Sequence, residues 1–308
     1  MTAEDSQHNY QLSAGSAFII LLAVNLCWGA SYAVAKYALD VVPPSTLAFI
    51  RFFLGGFFLI LLPGRNRQPL KLQDWKNLFF IGAFGLAASN ILLNLGLTLT
   101  TSTKTSIASS LEPVFTIVLA IIFLGESLGR KTVMATAIAI TGALILMLAG
   151  KAPAQLMAEL SGSGEFLGDL IIVVSTFLFA VYSIMMKPLA LRIGAIRATS
   201  LSFFIGAALL SPVVYLEMIK IWPLNFTRES LIAIMYLGII CNALAFVIWN
   251  IILKHTNAGV MAVTLYAQPV GGVLTGWLWL GESLSASGIV GAALIFAGIW
   301  LLPKEPGN

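Results

Sequence analysis

Glu112 and Arg51 are charged side chains set in surroundings that are almost entirely apolar. A carboxylate held that way is costly unless it is partnered or protonated. Pro113 follows Glu112 directly, removes a backbone N–H, and favours a kink that frees a carbonyl. Three roles follow for Glu112: a proton or cation site, a grip on a substrate amine, or an ion pair with Arg51 that locks two helices. Arg51 has the matching set. It binds a substrate carboxylate in a two-pronged fork, partners Glu112, or snorkels outward.

Uncharged polar and aromatic residues recur at similar positions in the neighbouring apolar runs: Asn25, Trp28, Tyr32, Asn90, Asn94, Tyr182, Asn242, Trp249, Asn250, Tyr266 and Gln268. Trp28 and Tyr32 share a helical face, as do Asn90 and Asn94, since each pair is spaced i, i+4. Amides inside a membrane must hydrogen-bond to something. They serve either as glue between helices or as the lining of a wet cavity. Taken together they favour a mixed aromatic and amide pocket suited to amphipathic solutes such as amino acids, large apolar ones in particular. The expected substrate-binding set is Asn25, Trp28, Tyr32, Asn90, Asn94, Glu112, Tyr182, Trp249, Tyr266 and Gln268. Glu112 and Arg51 are the coupling group or ion pair, and Pro113 and Pro269 are the expected kinks.

Other chemistries lack their residues. The histidines are His8 and His255, no paired aspartate motif lies in or beside an apolar run, and no Gly-x-x-x-x-Gly-Lys-[Ser/Thr] loop occurs. Cys27 and Cys241 both fall inside apolar runs and give no metal-ligand spacing. No catalytic residue, metal or cofactor is therefore expected, nor any nucleic-acid partner. A lipid-modifying membrane enzyme is the alternative from another class.

The elements that must position these groups are membrane helices. Of 308 residues 59% are hydrophobic and 10% charged, against roughly 25% charged in a soluble domain; the mean hydropathy is +0.95. The spacing predicts ten spans, near 17–36, 45–62, 77–97, 105–124, 132–149, 167–187, 198–215, 231–252, 258–280 and 286–302. Their continuous apolar character excludes the alternating strands of an outer-membrane barrel.

The chain also repeats itself. Leu-Glu-Pro-Val at 111–114 and Leu-Gly-Glu-Ser-Leu at 124–128 return as Ala-Gln-Pro-Val at 267–270 and Leu-Gly-Glu-Ser-Leu at 280–284, with a constant offset of 156. Asn94 and Asn250 keep the same offset; Trp28 through Lys36 aligns loosely with Phe179 through Lys187, and Ser45 through Phe49 with Thr199 through Phe203. Residues 1–149 form one five-helix unit, 150–166 a linker, and 167–308 the second unit.

Lys and Arg fall unevenly between alternate loops, eleven on one side and four on the other. The positive-inside rule places both termini in the cytoplasm. Because five is odd, the second unit enters the membrane the other way up, giving two inverted five-helix repeats in an all-α integral membrane protein. Lys36, at the outer end of the first span, is placed to snorkel. Glu126 and Glu282 follow helix-ending glycines and complement the next helix start, with a gating role as the alternative.

With Trp28-Gly29, Arg51-Phe52 and the two proline and Gly-Glu blocks in this order, the chain resembles the EamA-type branch of the drug/metabolite transporter superfamily over nearly its whole length. The resemblance implies ten helices, a central cavity lined mainly by spans 1, 3, 4, 6, 8 and 9, and export or exchange of small metabolites by alternating access. The expected protein is a secondary transporter of the inner (plasma) membrane, acting on amino acids, alone in the bilayer as a monomer. A nucleotide-sugar or sugar-phosphate exchanger is the alternative within the class, although it would want more basic groups than Arg51 and Lys36. Reporter tags inserted after Arg67 and after Ser161 should report opposite faces of the membrane; the same compartment for both would remove the inverted architecture.

Overall fold

Hydrocarbon offers a bare backbone no hydrogen bonds, so a long apolar run is stable there as a helix, each N–H satisfied within its own segment. In the computed structural model, which describes residues 14–62, 68–100, 102, 105, 108–148, 163–221, 223–280 and 286–302, the apolar runs fold this way. The helices are α1 (Ala14–Leu39), α2 (Pro44–Leu61), α3 (Leu72–Leu99), α4 (Glu112–Leu124), α5 (Arg130–Leu148), α6 (Ser163–Ile193), α7 (Ala195–Ile221), α8 (Arg228–Leu253), α9 (Ala258–Thr264), α10 (Ala267–Leu280) and α11 (Ala286–Trp300). Among the described residues seven helical segments are long and apolar enough to cross a membrane, and two shorter apolar helices, Ser109–Leu124 and Ala286–Trp300, accompany them. Most of the linker expected at 150–166, and Glu282, lie outside the described residues.

Several helices outrun the apolar stretches that announce them. α6 has 31 residues and α7 has 27, because both continue past the first charged side chain into a polar layer. There Arg192 pairs with Asp74 and Arg197 donates to the Gln68 carbonyl at 2.5 Å. Gly194, with φ of 85°, makes the left-handed turn between the two helices.

Polar contacts gather the helix ends into two layers. In one, Lys36 Nζ donates to the carbonyls of Leu97 (2.5 Å) and Thr100 (2.9 Å). Thr100 donates to Asp169 at 2.8 Å, and Glu217 accepts from the N–H groups of Ser45 and Thr46 at the start of α2. Lys36 thus caps the end of α3, where snorkelling was the expectation. In the other layer Glu126 meets Lys187 and the start of α9, and Asp74 meets Arg192. α4 ends at this second layer and α9 begins in it; α1 ends at the first layer and α6 begins near it. The two repeats therefore run in opposite senses.

The repeat also reaches the backbone. A π-helical stretch, Ile81–Ala88, interrupts α3, and a second, Tyr236–Leu244, interrupts α8. Residues 81–88 shifted by 156 become 237–244, which fall within the second stretch. Before Pro113 the chain tightens into a 3₁₀ turn in which Glu112 N–H donates to the Ser109 carbonyl. Before Pro269 the Gln268 N–H donates to the Leu265 carbonyl at 2.9 Å, the same offset again. A proline in a helix removes its own N–H and its ring crowds the carbonyl four residues earlier. The kink expected at Pro269 is accordingly a break at Leu265–Tyr266, one turn upstream.

α1 and α10 cross at contact distance through glycine. A Cβ on Gly29 would strike the Gln268 carbonyl oxygen, and one on Gly271 would strike that of Leu26. This crossing sets Trp28 and Tyr32 opposite Gln268. Gly29→Ala should lower the stability of the purified protein by roughly 1–3 kcal/mol, the cost of overpacking, read as a lower Tm in detergent. An unchanged Tm would mean that the helices separate without penalty.

Candidate substrate-binding site

A small, partly open cavity lies among the helices, lined by both repeats. α1 contributes Trp28, Ser31 and Tyr32, α2 Arg51, α3 Ser89, Asn90 and Leu93, and the turn into α4 Ser109 and Glu112. From the other repeat come Ser175, Thr176 and Phe179 of α6, Phe246 of α8 and Gln268 of α10.

Its apolar wall is aromatic. Trp28 meets Phe179 (centroids 6.0 Å), Trp28 meets Phe246 (5.3 Å), and Phe179 meets Phe246 (5.6 Å), all edge-to-face. In this arrangement each ring edge addresses the electron-rich face of the next. Trp28 Nε1 donates to the Cys241 carbonyl at 2.8 Å, which orients the indole from the π-helical stretch of α8. π segments leave backbone carbonyls off the regular ladder and recur at functional sites.

The polar groups are fixed by bonds between helices. Tyr32 donates to Gln268 Oε1 at 2.8 Å, joining α1 to α10. Ser89 and Ser175 donate to one another's backbone carbonyls at 3.1 and 2.7 Å, joining α3 to α6. Arg51 donates through Nε (3.2 Å) and Nη2 (2.9 Å) to Asn242 Oδ1, again in the α8 π stretch. Among the described residues no ion pair joins Arg51 to Glu112. Glu112 is 5% exposed, and its Oε1 has no hydrogen-bond partner. A guanidinium and a carboxyl group thus face one cavity without neutralising each other.

Five of the ten residues expected from sequence line this cavity: Trp28, Tyr32, Asn90, Glu112 and Gln268. Asn25, Asn94, Tyr182, Trp249 and Tyr266 are buried outside its lining. Asn94 donates to the Pro44 carbonyl at 2.9 Å, and Asn250 to Tyr182 (2.7 Å) and Thr199 (2.8 Å). These two, related by the repeat, each pin a helix to the start of its neighbour. Asn25 donates to Thr264 at 3.0 Å. Sequence reasoning missed Ser31, Ser89, Leu93, Ser109, Ser175, Thr176, Phe179 and Phe246. For Phe179 the signal was available, since the repeat aligns it with Trp28. Cys27 and Cys241 are free thiols with sulfurs 3.7 Å apart across the two repeats. Among the described residues no group of three or more His, Cys, Asp or Glu gathers as for a metal.

Beyond the site, Glu126 ties the repeats together at one end. α4 stops at Gly125, whose φ of 64° is the left-handed conformation that ends helices. The next carboxylate accepts from Lys187 Nζ (2.6 Å) and from the N–H groups of Ala258 (2.9 Å) and Gly259 (3.0 Å). Burial alone would raise this carboxyl, but the Gly259 N–H, Lys187 and the Ala258 N–H outweigh it and hold it below 4.5. A depressed carboxylate contributes its stability above its unfolded pKa and loses it as pH falls through the folded value. The tie is therefore complete at neutral pH and is lost only in acid, once the lowered carboxylate protonates.

Comparison with known proteins accounts for this arrangement. The EamA-like transporter family matches residues 15–148 and 166–303. The chain belongs to that family; it is a multi-pass membrane transporter of small molecules and not an enzyme. An "Uncharacterized transporter" of Archaeoglobus fulgidus is 27% identical over 290 residues, covering 94% of this chain and 99% of that one. A "Probable terminal-alkyne amino-acid exporter" of Streptantibioticus cattleyicolor is 24% identical over 290 residues, 92% of each chain. A "Probable amino-acid metabolite efflux pump" of Salmonella typhimurium is 26% identical over 305 residues, covering 94% of this chain and 95% of that one. A crystal structure with 23% identity superposes with a TM-score of 0.71 over 93% of this chain and 96% of its own, a likeness of fold.

In a double-mutant cycle of Glu126→Gln and Lys187→Met, melting temperatures should give a coupling of about 1 kcal/mol or more, as for contacting charges. Additive effects would show that the two side chains act apart.

Proposed function

We propose that this transporter exports amino acids or closely related zwitterions across the inner membrane by alternating access. The observation that carries the reading is the pairing of an unpartnered Glu112 oxygen with the Arg51 guanidinium in one cavity walled by aromatic rings. An α-ammonium suits Glu112, an α-carboxylate suits Arg51, and an apolar side chain suits the Trp28, Phe179 and Phe246 wall. The ammonium fills the open Glu112 acceptor, and the carboxylate meets a guanidinium held in place by Asn242. The names of the Streptantibioticus cattleyicolor and Salmonella typhimurium relatives support the same class. A sugar-phosphate exchanger is disfavoured, since Arg51 is the one basic residue among those lining the cavity.

In this reading all ten spans cross the bilayer with both termini in the cytoplasm, and one chain suffices for transport. The layer containing Lys36 faces outward. Most cavity residues on α1, α2, α3, α4 and α6 lie in the half of each helix nearer that layer, with Phe179 at mid-helix and Phe246 in the other half; in this reading access is from outside, while the Glu126 layer seals the inside. Glu112 then exchanges its substrate for a proton as the site turns, which couples transport to the proton gradient.

The test is uptake by purified protein in liposomes from a labelled amino-acid panel, with and without a pH gradient. Saturable uptake of a large apolar amino acid is expected. Glu112→Gln should abolish the response to the gradient while exchange persists, and Trp28→Ala should raise the half-saturation concentration by roughly ten-fold, about 1.4 kcal/mol. Gradient-driven uptake unchanged in Glu112→Gln would remove Glu112 as the coupling group. Uptake of phosphorylated sugars in place of amino acids would establish the other substrate class.

A further inference from the structure

The inverted repeat makes a second use of the cavity possible, because whatever lines one access route has a counterpart on the opposite route. The offsets are 151 between α1 and α6 (28 to 179), 154 between α2 and α7 (45 to 199), and 156 between α3 and α8 and between the two proline helices. Applied to the cavity lining, they divide it in two.

Three pairs map onto each other inside the existing cavity: Trp28 with Phe179, Asn90 with Phe246, and Glu112 with Gln268. The remaining lining residues map onto positions outside it. Tyr32 maps to Ser183, Thr176 to Asn25, and Leu93 to Trp249. All three counterparts are fully buried. Each also ends in a polar atom with no hydrogen-bond partner: Ser183 Oγ, Asn25 Oδ1 and Trp249 Nε1. Thr116, Asn250 and Tyr266 carry further unpartnered atoms close by, Thr116 one turn from Glu112 and the others beside Trp249 and Leu265, the counterpart of Ser109.

A buried polar atom without a partner carries the desolvation cost of its lost bond, and native folds rarely leave several together. Their concentration on the counterpart positions is the second, independent observation, for the offsets come from sequence and the unpaired atoms from packing. We infer that Trp28, Phe179, Asn90, Phe246, Glu112 and Gln268 form the contact shell that holds the solute in both access states. Asn25, Ser183 and Trp249 line a second vestibule, collapsed here, that takes the same amphipathic solute on its way to the face where Glu126 meets Lys187. Wetting of that vestibule satisfies the three orphaned atoms, which lowers the cost of opening it. Arg51 maps to Ile205 and Glu112 to Gln268, so the second vestibule carries no charge of its own and holds the solute more weakly than the shell.

The inference rests on the alternating-access reading, and its test is independent of which solute is carried. On a Cys27→Ala, Cys241→Ala background, Ser183→Cys and Asn25→Cys are placed separately in sealed vesicles of both orientations. A charged, membrane-impermeant methanethiosulfonate reagent is then added outside. Leu93→Cys, facing the present cavity, should react from the Lys36 side and shows that the background is folded. Ser183→Cys and Asn25→Cys should react from the Glu126 side, at least ~10-fold faster than from the other, and Glu126→Gln should speed both by a similar factor by shifting the population. Reaction of Ser183→Cys and Asn25→Cys from the Lys36 side would overturn the assignment. So would failure of both to react from either side, with Glu126→Gln present, while Leu93→Cys still reacts. If this labelling pattern holds but no amino acid is taken up, the substrate class falls and the second vestibule stands.

Discussion

Among the described residues, the departures from regular helix in the interior answer to one constraint: a backbone polar group at membrane depth must find its partner inside the protein. The chain departs at the 3₁₀ turn before Glu112, at the two π stretches, and at the break between Leu265 and Tyr266. Each reaches to within two residues of a side chain that lines the cavity. Pro113 and Pro269 each delete a donor where Glu112 and Gln268 must project inward, and a tightened turn recovers part of the lost bonding. The π stretch of α8 supplies the Cys241 carbonyl that orients Trp28 and the Asn242 amide that holds Arg51. The irregularities therefore position the site, and the regular helices around them keep lipid away from it.

The duplication supplies symmetry of backbone without symmetry of charge. Both repeats carry the π stretch and the tightened turn before proline, and both use an asparagine, Asn94 or Asn250, to hold one helix to the start of another. Yet Glu112 faces Gln268 across the repeat, and Arg51 faces Ile205. Two carboxylates at the symmetric positions would repel in a poorly screened interior. The glutamine instead accepts from Tyr32 and ties α1 to α10. One half holds charge and the other holds shape, and the cavity forms between them.

How far the sequence was readable depends on what each feature costs. The apolar runs and the constant offset of 156 are global patterns that no single packing accident erases, and they carried the family and the helical class; five of the ten expected binding residues line the cavity. Helix ends were harder to read, since α6 and α7 continue through charged residues that find partners in the neighbouring repeat. The i, i+4 spacing of Asn90 and Asn94 was correct about their shared face. It left open how far each side chain lies from Pro44, which captures Asn94 and leaves Asn90 on the cavity. Small hydroxyls such as Ser89 and Ser175 gave no signal at all, because a serine in an apolar helix looks the same whether it meets a carbonyl or a solute. The ion pair between Arg51 and Glu112 was one of the readings left open; the structure gives Arg51 to Asn242 instead.

That substitution of partner matters energetically. A guanidinium bonded to Glu112 would be neutralised, and a solute would have to break a buried pair before entering, a loss of several kcal/mol. Held by an amide, Arg51 keeps its position and its charge, and Glu112 keeps an unfilled acceptor. In the proposed reading, a molecule with one positive and one negative end satisfies both groups on entering. The same argument sets a limit on affinity, because a solute held too well at this shell would not leave it. In the alternating-access reading the shell stays in place while the walls on either side change, and the edge-to-face triad of Trp28, Phe179 and Phe246 joins three helices and both repeats at that shell.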